Sequence, residues 1–316
     1  MARFGFFTDA HLTENRPVHR IDDYINTIPE KIEMIYDFAA QNEFDFMTFG
    51  GDLCDRFQIF SYPLINRVIK AINLTTYSCV GEHDLCAHAP ETFGGSALSF
   101  ICTYCPDFKI LWKPVHLENG ISIYAKHEWE TMESAEKTEV DKSRFNVLLC
   151  HELLYDKKMP FKTTFTKDLD LPFDLVCSGD LHCGFSPHKV RNTWYCNPGS
   201  LARKTTADEK RMPKMLMIDA VKGKEPGIRE IIIPRSRPGS EVFSVGISET
   251  VKKLVSGMDV SGVVNSINET MKLGNNEHSD IFMLFDEHSR QVKINENVLA
   301  YYHEVCEKIK KTKVSK

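Results

Sequence analysis

The run Phe44-Asp-Phe-Met-Thr-Phe-Gly-Gly-Asp-Leu-Cys-Asp55 decides the fold. Its first half is short, apolar and aromatic; its second half turns polar through two glycines and ends on carboxylates. An apolar run of roughly four to eight residues closed by turn residues is the pattern of a buried strand. A carboxylate just past such a strand lies where α/β sheets gather their ligand-binding loops.

The same pattern recurs outward from this run. Arg3 to Thr8 leads into Asp9-Ala-His11, and Thr76 to Val80 into Gly81-Glu-His-Asp84. Phe145 to Cys150 ends on His151, and Leu175 to Cys177 precedes Gly179-Asp-Leu-His182. Ile121 to Tyr124, Trp194 to Cys196, Met215 to Ile218 and Ile228 to Ile233 are further β-branched or aromatic runs. Between the first two strands Ile32, Ile35, Tyr36 and Ala39 keep a helical period, with Pro29 placed to open the helix. The alternation predicts one α/β (α+β) domain of mixed sheets over residues 1–235.

Pro234-Arg-Ser-Arg-Pro-Gly-Ser240 has no apolar period and marks a boundary. Beyond it, over 241–316, Val260 to Met271 and Val298 to Ile309 keep a helical period, with Asn295 as N-cap of the latter, and Ile281 to Phe285 reads as a strand. A small helical or mixed C-terminal domain is expected there, as a contact for a partner or for DNA.

With 316 residues, 42% hydrophobic, 26% charged and a net charge of −5, the chain reads as an ordinary globular protein, neither disordered nor fibrous. No apolar run approaches the roughly 20 residues that span a bilayer, and Asp9 interrupts the opening too early for a signal peptide, so a cytoplasmic protein without membrane contact is expected. Ten cysteines without regular spacing read as reduced thiols, and the lone Cys102/Cys105 pair as a packed loop. The acidic stretch from Glu128 to Asp141 reads as a solvated loop or exposed helix. Lys189, Arg191, Arg203, Lys204, Lys210, Arg211 and Lys214 form the densest basic region, either a phosphate-backbone contact or a solvated loop. The lysine-rich tail from Lys308 to Lys316 reads as a helix end.

Asp, Glu and His converging on one sheet edge suit two divalent ions. The ordered set Asp9/His11, Asp52/Asp55, Glu82/His83/Asp84, His151 and Asp180/His182 resembles the calcineurin-like metallophosphoesterase superfamily, over about residues 3–220. Tyr195-Cys-Asn-Pro-Gly-Ser200 followed by Leu-Ala-Arg203 is similar to the segment after the last motif in SbcD-type DNA exonuclease subunits. The resemblance implies a four-layer α/β/β/α sandwich. It implies one metal on Asp9, His11, Asp52 and His182 and a second on Asp52, Glu82, His151 and Asp180. His83 then acts beside the leaving oxygen with Asp84 orienting it, and Asn197, Ser200, Arg203 and Lys204 contact substrate.

Two positions depart from the superfamily pattern: Glu82 stands for its usual Asn, and Asp180 for the first His of its last motif. Both remain oxygen ligands, and the added negative charge favours manganese, or magnesium, over zinc. The implied protein is a DNA exo/endonuclease subunit of an SbcCD-like repair complex, dimeric, with an SbcC-type coiled-coil ATPase as partner. A stand-alone phosphatase or small-molecule phosphodiesterase, and a catalytically weakened metal-binding scaffold, are the alternatives. His19, His88, His188 and His303 lack paired spacing and read as surface or core histidines; Cys54 and Cys183 read as small hydrophobes.

Overall fold

The computed structural model describes residues 1–59, 61–157 and 164–243. The chain divides into two units, Met1–Ser244 and Val245–Lys316, and the described residues fall in the first. The small domain expected over 241–316, and the basic tail, lie outside the described residues apart from Glu241 to Phe243.

The elements run β1 (Ala2–Phe7), α1 (Tyr24–Gln41), β2 (Phe46–Phe49), α2 (Tyr62–Ala71), β3 (Thr76–Ser78), α3 (Ala97–Tyr104) and β4 (Phe108–Ile110). Then follow β5 (Val115–His116), β6 (Ile121–Lys126), α4 (Met132–Glu136), β7 (Phe145–Cys150), β8 (Leu154–Tyr155), β9 (Thr164–Phe165) and β10 (Leu175–Ser178). The last are β11 (Phe185–Val190), β12 (Thr193–Asn197), β13 (Lys214–Ala220), β14 (Gly227–Ile232) and α5 (Gly239–Val242). One sheet has the order β14-β13-β1-β2-β3-β4, with β1 to β4 parallel and β13 and β14 antiparallel. The other has the order β11-β12-β10-β7-β6-β5, with four parallel strands between antiparallel edges.

Alternation along the strands builds the layers. Phe4, Phe6, Phe46, Leu216 and Ile218 of the first sheet pack against Ile123, Val147, Leu149, Cys177 and Cys196 of the second. Phe7 and Phe49 point the other way, into a core with Ile28, Ile32 and Ile35 of α1, Val68 of α2 and Ile101 of α3. Tyr124, Leu148, Val176 and Tyr195 on the outer face of the second sheet lie under Met132 and Ala135 of α4 and the loop residues Leu169, Leu171 and Phe173. The architecture is the mixed-sheet α/β/β/α sandwich, with a thin fourth layer: a five-residue helix and loops among the described residues.

Local differences from the sequence expectation have packing reasons. Helix α1 starts at Tyr24, not Pro29, because Tyr24 and Ile28 extend the buried stripe by a turn and tertiary burial outweighs the lost proline hydrogen bond. Cys102 lies in α3 and Cys105 caps its end, so the pair is a helix terminus rather than a loop. Strand β11, unmarked by any apolar run, contains Pro187 and is an edge, where a missing amide donor is tolerated.

Candidate metal centre

The sequence-predicted ligands all follow parallel strands at their carboxyl ends. Asp9 and His11 follow β1, Asp52 β2, Glu82 β3, His151 β7, and Asp180 and His182 β10. Asp9, His11, Asp52 and Asp180 have φ of 51°, 44°, 57° and 71°, a left-handed conformation that costs a non-glycine residue about 1–2 kcal/mol. Such strain persists where the surroundings over-determine it. Here the loops after β1 and β2 are laced together: Asp9 N donates to Gly51 O, His11 N to Asp52 O, and Leu12 N to Leu53 O, at 3.1, 3.1 and 2.8 Å. Gly81 is fixed by proximity, since a Cβ on it would overlap the Asp52 backbone nitrogen and Oδ1.

These constraints bring the donor atoms together. His11 Nε2 and His182 Nε2 stand 2.9 Å apart, with Asp9 Oδ1 4.0 and 3.7 Å from them. Asp52 Oδ2 is the shared corner: it lies 3.7 Å from His11 Nε2, 3.5 Å from His151 Nε2 and 4.0 Å from His83 Nε2. Asp9/His11/His182, Asp9/Asp52/His151 and His11/Asp52/His83 each place their ligand atoms within 4.8 Å of one another.

The donor chemistry fits divalent cations. His151 Nδ1 donates to Gly50 O at 2.9 Å, which leaves Nε2 buried without a hydrogen-bond partner and turned toward the Asp52 carboxylate. A lone pair facing a carboxylate is an arrangement that a cation between them stabilises. Without one the groups lean on each other. Burial opposes ionisation of Asp52, yet the imidazoles of His151, His11 and His83 hold its carboxyl below the usual range. Burial likewise opposes a charge on His151, and Asp52 holds that imidazole well above its ordinary pKa.

Glu82 and Asp180 fall outside these three groups; the Glu82 carboxylate lies instead with His88 and Glu128. Glu82 and Asp180 line an adjoining cavity of about 210 Å³ with Glu128, His151, Glu152, Leu153 and Thr164. Burial, with the charges of Asp9, Glu82 and Asp52, pushes the Asp180 carboxyl up to about 6 against the pull of His151.

The remaining expected residues are arranged otherwise than sequence adjacency implies. Asp84 does not orient His83: its carboxylate accepts the backbone amides of Asp52, Cys54 and Gly81 at 3.0, 3.1 and 3.1 Å. The His83 ring is held instead through Nδ1 by the Asp55 carbonyl at 2.9 Å, and its backbone amide donates to Asp52 Oδ1 at 2.9 Å. Asn197, Ser200 and Arg203 are buried. Asn197 Oδ1 takes the Gly199 amide and Ser200 Oγ donates within 2.8 Å of the Asp9 and Ala202 carbonyls. The Arg203 guanidinium bonds the Arg211 and Arg237 carbonyls. Lys204 pairs with Asp55, whose Oδ1 faces His11 Nδ1 at 3.5 Å.

Glu128 and His88 at this site had no sequence signal beyond a charged stretch and an unpaired histidine, and only the approach of the loops after β3 and β6 brings them in; Glu152 comes with its neighbour His151 in the loop after β7. The basic region changes in the opposite sense. Lys189 pairs with Glu225, Arg191 with Asp170, Arg211 with Asp208 and Lys214 with Glu230, so most of its charge is already matched.

Three solved structures are similar to this chain. TT1561 of Thermus thermophilus is 11% identical and has a TM-score of 0.47, covering 73% of this chain and 99% of its own. A putative 5'-nucleotidase from Staphylococcus aureus in complex with alpha-ketoglutarate is 11% identical with a TM-score of 0.43, covering 81% of this chain and 58% of its own. YfcE, a phosphoesterase from E. coli, is 14% identical with a TM-score of 0.36, covering 73% of this chain and 99% of its own. No curated protein matches the chain. A profile of calcineurin-like phosphoesterases matches residues 2–184, a stretch that begins at β1, takes in every residue of the carboxyl-edge cluster from Asp9 to His182, and covers more than half of the sequence. With that profile laid over these strand ends, the chain belongs to the calcineurin-like phosphoesterase family.

Proposed function

We propose that this protein is a two-metal phosphodiesterase that cuts DNA, the nuclease subunit of an SbcCD-like complex. The observation that carries the phosphoesterase part is the shared corner: Asp52 Oδ2 faces three imidazole nitrogens from three different strand ends. Asp9, His11, Asp52 and His182 would hold one divalent ion, and Asp52, Glu82, His151 and Asp180 a second. Such a pair supplies positive charge against a phosphoryl oxygen and acidifies water near neutral pH. The carboxylates of Glu82 and Asp180 make manganese, with magnesium next, the ion of choice.

The chain's own part is positioning and proton transfer. Asp52 ties the two halves of the site together, and its second oxygen fixes the His83 backbone. Because His83 Nδ1 is committed to the Asp55 carbonyl, Nε2 is the atom it presents, on a ring side chain 37% exposed and 3.6 Å from Glu82 Oε1. From there Nε2 can donate a proton to a departing oxygen.

The Tyr195-to-Arg203 segment, similar to that of SbcD-type subunits, supports the nuclease reading, and with it DNA as substrate, a homodimer, an SbcC-type coiled-coil ATPase partner and a cytoplasmic setting. No helix among the described residues is long and apolar enough to cross a membrane. A second reading, a stand-alone phosphatase or small-molecule phosphodiesterase, is favoured by the pairing of the basic region with carboxylates. The test is turnover with manganese on linear duplex DNA, single-stranded DNA, a chromogenic phosphodiester and a phosphomonoester. DNA degradation abolished by Asp52→Asn supports the nuclease; preference for the monoester with intact DNA sinks it.

A further inference from the structure

We infer that a phosphate-type oxyanion binds in a basic cavity between α1 and the segment 234–237, held by Arg203, Lys31 and Ser236. The cavity is about 40 Å³ and is lined by five basic side chains, Arg20, Lys31, Arg203, Arg235 and Arg237, against two acidic ones, Asp22 and Glu30. One water needs roughly 10–15 Å³ of such space, so the room is that of about three waters, or one phosphoryl group. The two carboxylates do not neutralise it. Arg20 Nε and Nη2 donate to the two oxygens of Asp22 at 2.7 and 2.6 Å, Thr27 Oγ1 donates to it at 2.9 Å, and Arg237 lies 3.5 Å away. Glu30 is half-exposed, 4.0 Å from Arg67. Among the described residues, Lys31, Arg203 and Arg235 are left without a carboxylate in ion-pair reach, and the first two are buried.

Two buried atoms argue for a ligand rather than an idle cluster of cations. Arg203 spends Nη1 and Nη2 on the Arg211 and Arg237 carbonyls, at 3.1 and 2.6 Å, and its Nε has no partner among the described residues although the residue is only 1% exposed. Ser236 Oγ is likewise buried without a partner. Both residues line the cavity, and an oxyanion there gives each donor an acceptor of the kind a guanidinium matches best. The charges point the same way. Burial, and then Arg20 and Arg211, lowers the Arg203 pKa to about 10, and burial with the neighbouring guanidiniums lowers that of Lys31. An anion favours the charged form of both.

The cations around the cavity also hold the segment that braces Asp9. Lys31 Nζ donates to Leu201 O and Arg20 Nη1 to Arg203 O, at 2.8 and 2.6 Å. The amides of Leu201 and Ala202 donate in turn to Thr8 O and Asp9 O, at 3.0 and 3.2 Å. An anion that steadies Lys31 and Arg203 therefore steadies this segment, and its binding should raise the stability of the folded chain.

The test is run on the full chain in a chelator, so that phosphate bound to metals is not counted and the result does not depend on the nuclease reading. Labelled inorganic phosphate is followed by equilibrium dialysis, beside thermal melts in phosphate and in chloride at equal ionic strength. The expected result is one saturable phosphate per chain and a melting temperature that rises with phosphate and not with chloride. Ser236→Ala should bind phosphate about tenfold more weakly, the worth of one charge-assisted hydrogen bond. Ser236→Asp carries a carboxylate into the cavity, so it should melt at least as high as the parent without phosphate and no longer respond to it. Run as a second probe, 5′-AMP assigns the phosphoryl group to a nucleotide if it binds more tightly than phosphate, and to the free ion if it binds more weakly. No saturable binding by the parent, unchanged binding in Ser236→Ala, or an equal melt shift in chloride would overturn the site.

Discussion

The ring of His83 is held by the backbone carbonyl of Asp55, Nδ1 to O at 2.9 Å, while the neighbouring Asp84 carboxylate is taken up by the amides of Asp52, Cys54 and Gly81. Asp84 is therefore the pin that joins the loops after β2 and β3. Replacing it by Ala strands three amide donors, each worth about 1–3 kcal/mol if left unsatisfied. Burial first, and then the charge of Asp52, pushes its carboxyl up to about 7, so a neutral group there is tolerated. Urea unfolding of the metal-free chain should show a loss of about 3 kcal/mol or more for Asp84→Ala and less than half of that for Asp84→Asn, which keeps one acceptor oxygen. Equal losses would mean that the charge, not the hydrogen-bond geometry, matters.

His83→Gln tests the proton donor. General acid catalysis is worth roughly 10²–10⁴ in rate, and it matters most when the departing oxygen is basic. The variant should lose that factor in kcat on an alkyl phosphodiester and much less on a nitrophenyl one, at unchanged manganese content. Equal losses on both substrates would move His83 from proton donor to structural support.

The site was legible wherever an apolar run stopped at a polar residue. That rule located Asp9, Asp52, Glu82, His151 and Asp180, because strand ends on one edge must converge once the strands are parallel. It failed wherever a role depends on side-chain direction or on a non-local contact. Adjacency assigns Asp84 to His83, but the turn at Gly81 sends the carboxylate to backbone amides. His88 and Glu128 are 40 residues apart and meet only through the crossing of two loops. The basic region reads as free charge because its partners Glu225 and Glu230 belong to a later hairpin. The family resemblance makes Asn197, Ser200 and Arg203 substrate contacts, and a motif match carries no information on exposure: all three are buried, Asn197 at the end of β12 and the other two in the segment after it.

Gly81→Ala places a methyl against Asp52 N and Oδ1, backbone and ligand at once, with no flexible side chain to give way. Overpacking of this kind costs typically about 1–3 kcal/mol, and here the strain falls on the corner shared by both proposed metals. The expected outcome is a chain that still unfolds cooperatively, destabilised by about that amount, with manganese affinity reduced at least tenfold. Isothermal titration with manganese beside a thermal melt separates the two effects. Unchanged affinity would show that Asp52 can shift without loss of its role.

Lys31 offers a pH test remote from the metal residues. It lies on the buried face of α1, and its Nζ donates to Leu201 O at 2.8 Å. Burial, and then the guanidiniums of Arg203, Arg20 and Arg211, hold its pKa well below the ordinary lysine value. Between that lowered value and about 10.4 the unfolded chain binds more protons than the folded one, so this group makes stability rise with pH across the window. Lys31→Met keeps the aliphatic bulk, removes the titration and gives up one hydrogen bond of about 1 kcal/mol. Chemical unfolding of both proteins near neutrality and near pH ~10 should show the variant ahead by about 1 kcal/mol or more at the lower pH. That lead should shrink toward zero or reverse at the higher pH, where the folded lysine is neutral, the unfolded one is close to its own pKa and the bond to Leu201 is kept. A gap that stays constant across the range would mean that Lys31 is charged in the fold, with its positive neighbours offset by Asp22.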